Sequence, residues 1–133
     1  NGVRSASMAA YVEHQGAYGV VCNSKIGVDT ICAIKEAVEI PVVYTVISEK
    51  MDIEPYLVAG VDFVNVSGAA RTPEIVAALR AKYPELPIIA TGGPTEESIT
   101  ATIRAGANAI TYTPPSSAEL FAKTMANNRS ELE

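Results

Sequence analysis

The residues best suited to bind a small anion follow the short apolar runs of this sequence. Each run gives way to glycine, hydroxyl-bearing or charged side chains. At the ends of parallel strands such residues meet at one edge of the sheet, where ligands bind in α/β folds. With two cations and one carboxylate, their chemistry suits a phosphate or carboxylate ligand. In chain order they are Asn23, Ser24 and Lys25; Ser48 and Glu49; Ser67, Gly68 and Arg71; Thr91, Gly92 and Gly93; and Tyr112 and Thr113.

Gly92 and Gly93 lie where a strand passes into a helix. The apolar run 87–90 precedes them, and Thr95 is a predicted helix N-cap with two glutamates directly behind it. Backbone N–H groups at such a turn, together with the positive end of the helix, can hold a phosphate. The alternative is a tight turn that needs only the conformational freedom of glycine.

Repeated units of strand, loop and helix position these residues. Because the strands are apolar throughout, they are typical of a parallel sheet covered by helices. Strands are predicted to begin near residues 17, 42, 61, 87 and 109. Helices are predicted over 3–14, 28–38, 53–59, 72–83, 95–107 and 117–127, with Thr72 as the cap of the fourth.

Five such units fit two architectures of the α/β class. One is a TIM-barrel-like (β/α) fold and the other is an open five-stranded doubly wound sheet. Two echoes, Ala-Gly-Val-Asp-Phe-Val at 59–64 and Ala-Gly-Ala-Asn-Ala-Ile at 105–110, favour the barrel because both stand where a helix turns into a strand. A looser copy begins at Gly16. We therefore expect a single barrel-type domain over residues 1–133.

Composition and charge narrow the class of protein. At 133 residues, with 48% hydrophobic and 19% charged residues, the chain suits one globular domain. Its net charge of −5 and its scattered lysines and arginines argue against an extended nucleic-acid surface. No apolar run approaches the roughly 18 residues that span a bilayer. Two isolated cysteines predict reduced thiols and a cytoplasmic protein.

Catalytic and metal-binding machinery is not indicated. Cys22 and Cys32 have no close Cys or His neighbours, so no metal site is expected, and no cofactor is predicted. His14, the one histidine, stands at a helix end. Glu49 is the only acid near a strand end, and the sequence has no paired carboxylates or nucleophile elbow. Lys25 could form a Schiff base, although it lies in a loop beyond its strand.

Several motifs, taken in order, resemble those of the glycerol-uptake operon antiterminator family. They are Gly-Ala-Tyr-Gly-Val-Val-Cys-Asn-Ser-Lys at 16–25, Val-Asp-Phe-Val-Asn-Val-Ser-Gly at 61–68, Pro-Ile-Ile-Ala-Thr-Gly-Gly at 87–93 and Ala-Gly-Ala-Asn-Ala-Ile-Thr-Tyr-Thr at 105–113. The strand that begins at Pro41, between the first two motifs, belongs to the same resemblance. Members are barrel-like regulators that respond to glycerol 3-phosphate and act on messenger RNA. The resemblance implies that Gly92, Gly93 and Thr113 hold the phosphate, with Lys25, Ser67 and Gly68 on the same rim.

The resemblance also implies partners. A small phosphorylated ligand and mRNA are expected, and no membrane. The chain would match only the last five strands of a full barrel, which leaves sheet edges unpaired and predicts a homo-oligomer or missing N-terminal strands. The alternative function is a phosphosugar-binding TIM-barrel enzyme of aldolase or isomerase type.

Overall fold

A computed structural model describes residues 2–92, 95–111 and 125–126. The helices of this part of the chain are α1 (Gly2–His14), α2 (Val28–Ala37), α3 (Glu54–Ala59), α4 (Thr72–Lys82) and α5 (Glu96–Arg104). The strands are β1 (Val20–Cys22), β2 (Val42–Val46), β3 (Phe63–Val66), β4 (Ile88–Thr91) and β5 (Ala109–Thr111). The helix predicted over 117–127 falls almost wholly outside the described residues.

The strands form one parallel sheet in the order β1-β2-β3-β4-β5. A doubly wound sheet reverses its strand order at a switch point, whereas a TIM barrel adds each new strand beside the last. The sequential order therefore confirms the TIM-barrel-like prediction, and the doubly wound alternative is wrong. The five described strands correspond to part of a barrel.

Side chains alternate between two faces of this sheet, and only one face carries the main core. Val42, Tyr44 and Val46 of β2 belong to the same core cluster as the buried apolar residues of α2 and α4, and each is at most 2% exposed. The alternate residues belong to the opposite face, which we call the inner face. It consists of Val21, Val43, Thr45, Phe63, Asn65, Ile89, Thr91, Ala109 and Thr111, of which Val43 alone is fully buried.

The echoes seen in the sequence are a structural repeat at the starts of β3 and β5. The Asp62 N–H donates to the Val42 carbonyl at 2.9 Å, and the Asp62 carboxylate accepts the Val42 N–H at 2.8 Å. Asn108 makes the same pair of bonds with Ile88, at 2.8 and 2.9 Å. In each repeat a short polar side chain therefore fixes the register of the preceding strand.

A cation from the helix before each pair completes the repeat. Lys35 Nζ lies 3.0 Å from the Asp62 carboxylate, and Arg80 Nη2 lies 2.7 Å from Asn108 Oδ1. The arginine makes more contacts, since its guanidinium also donates twice to the Gly106 carbonyl, at 3.1 and 2.8 Å. These bonds lie at the amino-terminal end of the sheet, opposite the predicted ligand edge.

The looser copy at Gly16 keeps the turn but not the strand-start bonds. Gly16 is left-handed, with φ 101°, as are the repeat glycines, with φ 108° and 118°. Tyr18 occupies the position of the short polar residue and is 96% exposed. The first strand begins at Val20 rather than at the predicted residue 17, because the Ala17 N–H closes the end of α1 by donating to the Val12 carbonyl.

Candidate functional site

A cleft of about 560 Å³ lies at the C-terminal end of the sheet, beside the first turns of α4 and α5. Hydroxyl-bearing residues dominate its polar lining, and the ends of β3 and β4 form its floor. The lining residues are Ser67, Ala69, Ala70, Thr72, Pro73, Thr91, Gly92, Ser98 and Thr102. The structure thus brings together Ser67, Thr91 and Gly92 of the predicted set.

The N-terminus of α5 has the predicted cap. Thr95 Oγ1 accepts the Ser98 N–H at 3.1 Å, and Ser98 Oγ accepts the Thr95 N–H at 3.3 Å. This capping box satisfies two of the N–H groups at the helix start. Glu96 and Glu97 fill the first turn, where carboxylates are favoured by the helix dipole.

The start of α4 differs from the prediction. A 3₁₀ turn, Ala69–Arg71, runs directly into the helix, so the N-cap position falls on Arg71 and no side chain caps it. The Thr72 hydroxyl instead accepts the Gly68 N–H at 2.9 Å. Thr72 is consequently 2% exposed and fixes the loop between β3 and the helix.

This loop holds a backbone conformation that side chains rarely adopt. Ala69 has φ 52° and is the only non-glycine residue with positive φ in the described part of the chain. It follows Gly68, whose φ of −112° and ψ of 21° lie near the bridge region. Such a succession can direct neighbouring N–H groups toward one point, as in anion-binding nests. Strain of this kind is frequent at ligand sites.

Close packing explains the glycines at the ends of β3 and β4, of which Gly92 lines the cleft and Gly68 does not. A Cβ on Gly92 would lie 2.8 Å from Ile110 Cγ2, and one on Gly68 would lie 2.3 Å from Ile75 Cδ1. The Gly92 N–H already donates to the Thr111 carbonyl at 2.7 Å, which extends the β4–β5 ladder. Gly93, Tyr112 and Thr113 lie outside the described residues.

The predicted cation Arg71 is on the cleft side of the sheet but is paired. Its guanidinium contacts the Glu49 carboxylate, and Nε lies 3.4 Å from the Glu74 carboxylate. Two carboxylates therefore offset the positive charge of an arginine whose side chain is 63% exposed. The same contact occupies Glu49, the one acid that the sequence places near a strand end.

Lys25 is exposed and does not line the cleft. It lies in the loop after β1, at the edge of the sheet farthest from β5. Two stacked tyrosines, with ring centroids 4.0 Å apart, hold this loop from below. The Tyr44 hydroxyl donates to the Ser24 carbonyl at 2.9 Å, and the Tyr56 hydroxyl donates to the Ile26 carbonyl at 2.7 Å. The carbonyls on either side of Lys25 are therefore fixed.

Burial makes the Tyr44 phenol harder to ionise. Desolvation first, and the neighbouring Tyr56 hydroxyl second, raise the pKa of Tyr44 above its usual value. Burial also raises the pKa of the Cys22 thiol. In both cases the unfolded chain loses its proton before the folded chain does, so the stability contribution is present at neutral pH and falls as pH rises.

We therefore expect the free energy of unfolding to decline as pH rises past roughly 10, the ordinary pKa of tyrosine. The Tyr44→Phe variant should decline less steeply, because it has no phenol to ionise. Urea titrations followed by circular dichroism between neutral pH and roughly pH 11 test this. Parallel curves for the two proteins would contradict the assignment to Tyr44.

The inner face carries four polar residues, of which the sequence predicts only Thr91 as a site residue. Thr45 and Asn65 are register partners on β2 and β3, and Thr91 and Thr111 are partners on β4 and β5, with hydroxyls 3.5 Å apart. Asn65 could have been predicted from the two-residue period of a strand. It stands two residues before Ser67, so the two side chains share one face of the sheet.

Two further properties concern the described residues alone. No group of three or more His, Cys, Asp or Glu side chains among them could hold a metal ion. None of their helices combines the length and the apolar character needed to span a membrane.

Comparison with known proteins identifies the fold and no family. No family model matches the chain, and no curated protein matches it by sequence. Among solved structures, a protein of Burkholderia cenocepacia J2315 assigned as a phosphonomutase aligns with TM-score 0.64 and 19% identity, over 96% of this chain and 63% of its own. These similarities place the chain among TIM-barrel folds.

Two other solved structures give the same result. A structure described as native KDPGal aligns with TM-score 0.65 and 18% identity, over 82% of this chain and 52% of its own. Mandelate oxidase bound to 3,3-difluoro-2-hydroxy-3-phenylpropionic acid aligns with TM-score 0.65 and 15% identity, over 84% of this chain and 46% of its own. The chain thus spans about half to three-fifths of the length of these proteins.

Proposed function

We propose that this chain binds a small phosphate ester at the C-terminal end of its sheet, as part of a phosphosugar-binding TIM-barrel enzyme of aldolase or isomerase type. The observation that carries the proposal is the cleft beside the starts of α4 and α5, which Ser67 and Thr91 line from the strand ends. Ligand sites of TIM barrels lie at this end, and helix N-termini favour anions. The name of the phosphonomutase neighbour, which denotes a phosphorus-containing substrate, supports the same ligand chemistry.

The phosphate would lie between the two helix starts. Ser67 and Thr91 would donate hydroxyl hydrogen bonds from the strand ends, whereas the Ser98 hydroxyl already donates to the Thr95 carbonyl at 2.8 Å. Two further residues are assigned to the proposed site from their positions in the sequence. Gly93 directly follows Gly92, and Thr113 lies two residues after Thr111. Arg71 would contribute charge only in part, since Glu49 and Glu74 compete for its guanidinium.

Isothermal titration calorimetry with glycerol 3-phosphate tests this site. We expect binding by the unmodified chain and at least tenfold weaker binding by Thr91→Asp, because like charges at close range repel. Thr100→Asp makes the same change on the exposed surface of α5 and should bind as the unmodified chain does. Absence of binding by both glycerol 3-phosphate and inorganic phosphate, with the protein folded, would refute the proposal.

The chemistry of Lys25 distinguishes an aldolase-type enzyme from a protein that binds the ligand without turnover. Its amine could condense with the carbonyl of a ketose or triose phosphate, releasing water and forming an imine. Borohydride reduces that imine to a stable secondary amine. Incubation with dihydroxyacetone phosphate and borohydride should then add the reduced ligand to Lys25, as read by peptide mass spectrometry, and Lys25→Ala should abolish the adduct.

A ligand-responsive regulator of the antiterminator type is the second candidate. The observation that favours it is the order and spacing of the four motifs that resemble the glycerol-uptake antiterminators across residues 16–113. In that case glycerol 3-phosphate would bind without turnover, and the complex would change the affinity for a leader mRNA. Glycerol 3-phosphate binding without any Lys25 adduct, together with ligand-dependent RNA retention, would favour the regulator.

A further inference from the structure

We infer that Asn65 and Thr45 form a second subsite, which binds the uncharged, hydroxyl-bearing carbon chain of the ligand whose phosphate occupies the cleft. The inference rests on the proposed function and adds the class of ligand and a residue that determines specificity. It follows from the register of the sheet, from the missing partner of one side chain, and from the chemistry of the inner face.

The register places the two side chains next to each other and next to the cleft. Thr45 pairs with Asn65 across β2 and β3, so both point to the inner face from neighbouring positions. Ser67, which lines the cleft, follows Asn65 on the same face at a spacing of roughly 6.6 Å, the rise of two strand residues. A carbon chain of three or four atoms can connect the two positions.

Asn65 is unusual for the middle of a central strand. Asparagine is depleted in strands, and its neighbours along β3, Val64 and Val66, are fully buried. The Asn65 carboxamide makes no hydrogen bond with any of the described residues. Because every buried side-chain polar atom there has a partner, this amide must be accessible. Asparagine at this position therefore disfavours the strand and gains no hydrogen bond in return, and such departures from local propensity are expected at functional positions.

The chemistry of the subsite selects for hydroxyl groups. A carboxamide offers two donors and an acceptor, and the threonine hydroxyl offers one donor and accepts as well. No charged residue belongs to the inner face. Val43 and Phe63 lie below the polar pair on β2 and β3, and Ile89 pairs with Asn65 on β4, so the surroundings of the pair are apolar. A neutral carbon chain that carries hydroxyl groups matches this surface, whereas a second anionic group finds no counterion there.

The test compares ligands that share the phosphate and differ in the carbon chain. Calorimetric titrations would use glycerol 3-phosphate, propyl phosphate, which lacks both hydroxyls, and inorganic phosphate. Because hydrogen bonds left unmade at a polar subsite lower affinity, the unmodified chain should prefer glycerol 3-phosphate to propyl phosphate by about tenfold or more. Asn65→Val should reduce that preference to about threefold or less, and Thr45→Val should reduce it in part.

Two measurements distinguish a role of Asn65 in ligand specificity from a structural role, and failure of the inference from failure of the proposed function. They are the unfolding temperature and the affinity for inorganic phosphate. Asn65→Val should unfold at the same or a higher temperature, since valine suits a strand, and should bind inorganic phosphate as before. Thr100→Val on the exposed surface of α5 should change nothing. An unaltered preference in Asn65→Val would overturn the inference and leave the phosphate site intact. Failure of the unmodified chain to bind any of the three ligands would overturn the proposed function itself.

Discussion

Replacing Arg80 with alanine is expected to destabilise the chain by about 3 kcal/mol, because one guanidinium makes charge-assisted hydrogen bonds with several backbone carbonyls at once. Nη1 donates to the Leu86 carbonyl at 2.7 Å and to the Pro84 carbonyl at 2.9 Å, in the loop before β4. Nη2 and Nε donate to the Gly106 carbonyl, and Nη2 also reaches Asn108. Loss of this side chain leaves the loops that precede β4 and β5 without their common partner.

Urea unfolding followed by circular dichroism measures the effect, and Arg104→Ala is the matched control. Arg104 lies exposed in the last turn of α5, so its removal should change stability by no more than about 0.5 kcal/mol. Arg80→Lys should fall in between, because an ammonium keeps the charge but cannot form the fork of the guanidinium. Equal stabilities of Arg80→Ala and Arg104→Ala would show that the bonds to Gly106 and Leu86 contribute nothing.

The repeat at the starts of β3 and β5 shows why this part of the fold is only partly predictable from the sequence. The Ala-Gly-X-Asp and Ala-Gly-X-Asn echoes were visible, as was the need for glycine where a helix turns into a strand. The cations that complete them were not, since Arg80 stands 28 residues from Asn108 and Lys35 stands 27 residues from Asp62. Only the paired strands bring them together.

The same limit applies to the site. Ser67, Thr91 and Gly92 were predicted because a strand end is a local signal, and the structure places them in one cleft. The pairing of Arg71 with Glu49 was hidden, since it joins loops that follow different strands. Asn65 was missed for another reason. It is the single polar residue in an apolar run, so the two-residue period that separates the faces of the sheet is barely visible in β3.

The sequence narrows the topology to two folds and does not decide between them. Apolar strands alternating with helices satisfy both a barrel and a doubly wound sheet, because both folds cover the two faces of their parallel strands, with helices on both sides in the sheet and with helices outside and strand side chains inside in the barrel. What separates them is the side on which each crossover adds the next strand. No single residue encodes that choice, and the sequential order of five strands decides it.

Tyr44→Ala is the second substitution with a large expected effect, a loss of about 4 kcal/mol in the free energy of unfolding. The Tyr44 side chain is 2% exposed and stacks on Tyr56 with an interplanar angle of 10°. Its removal leaves a cavity against β3 and takes away the donor to the Ser24 carbonyl. Tyr11→Ala, on the exposed surface of α1, is the control and should cost less than about 0.5 kcal/mol.

Tyr44→Phe separates the packing of the ring from the bond of its hydroxyl. The phenyl ring keeps the stack, so the cost should fall to about 1 kcal/mol, the value of one hydrogen bond. Because the lost bond holds the loop that carries Lys25, amide hydrogen exchange at residues 24–27 should accelerate in Tyr44→Phe more than in the strands. If the lysine forms an imine, its adduct with dihydroxyacetone phosphate should also form more slowly, since the loop no longer holds the amine in one place. Unchanged exchange in this loop would mean that Tyr56 alone, through the Ile26 carbonyl, fixes it.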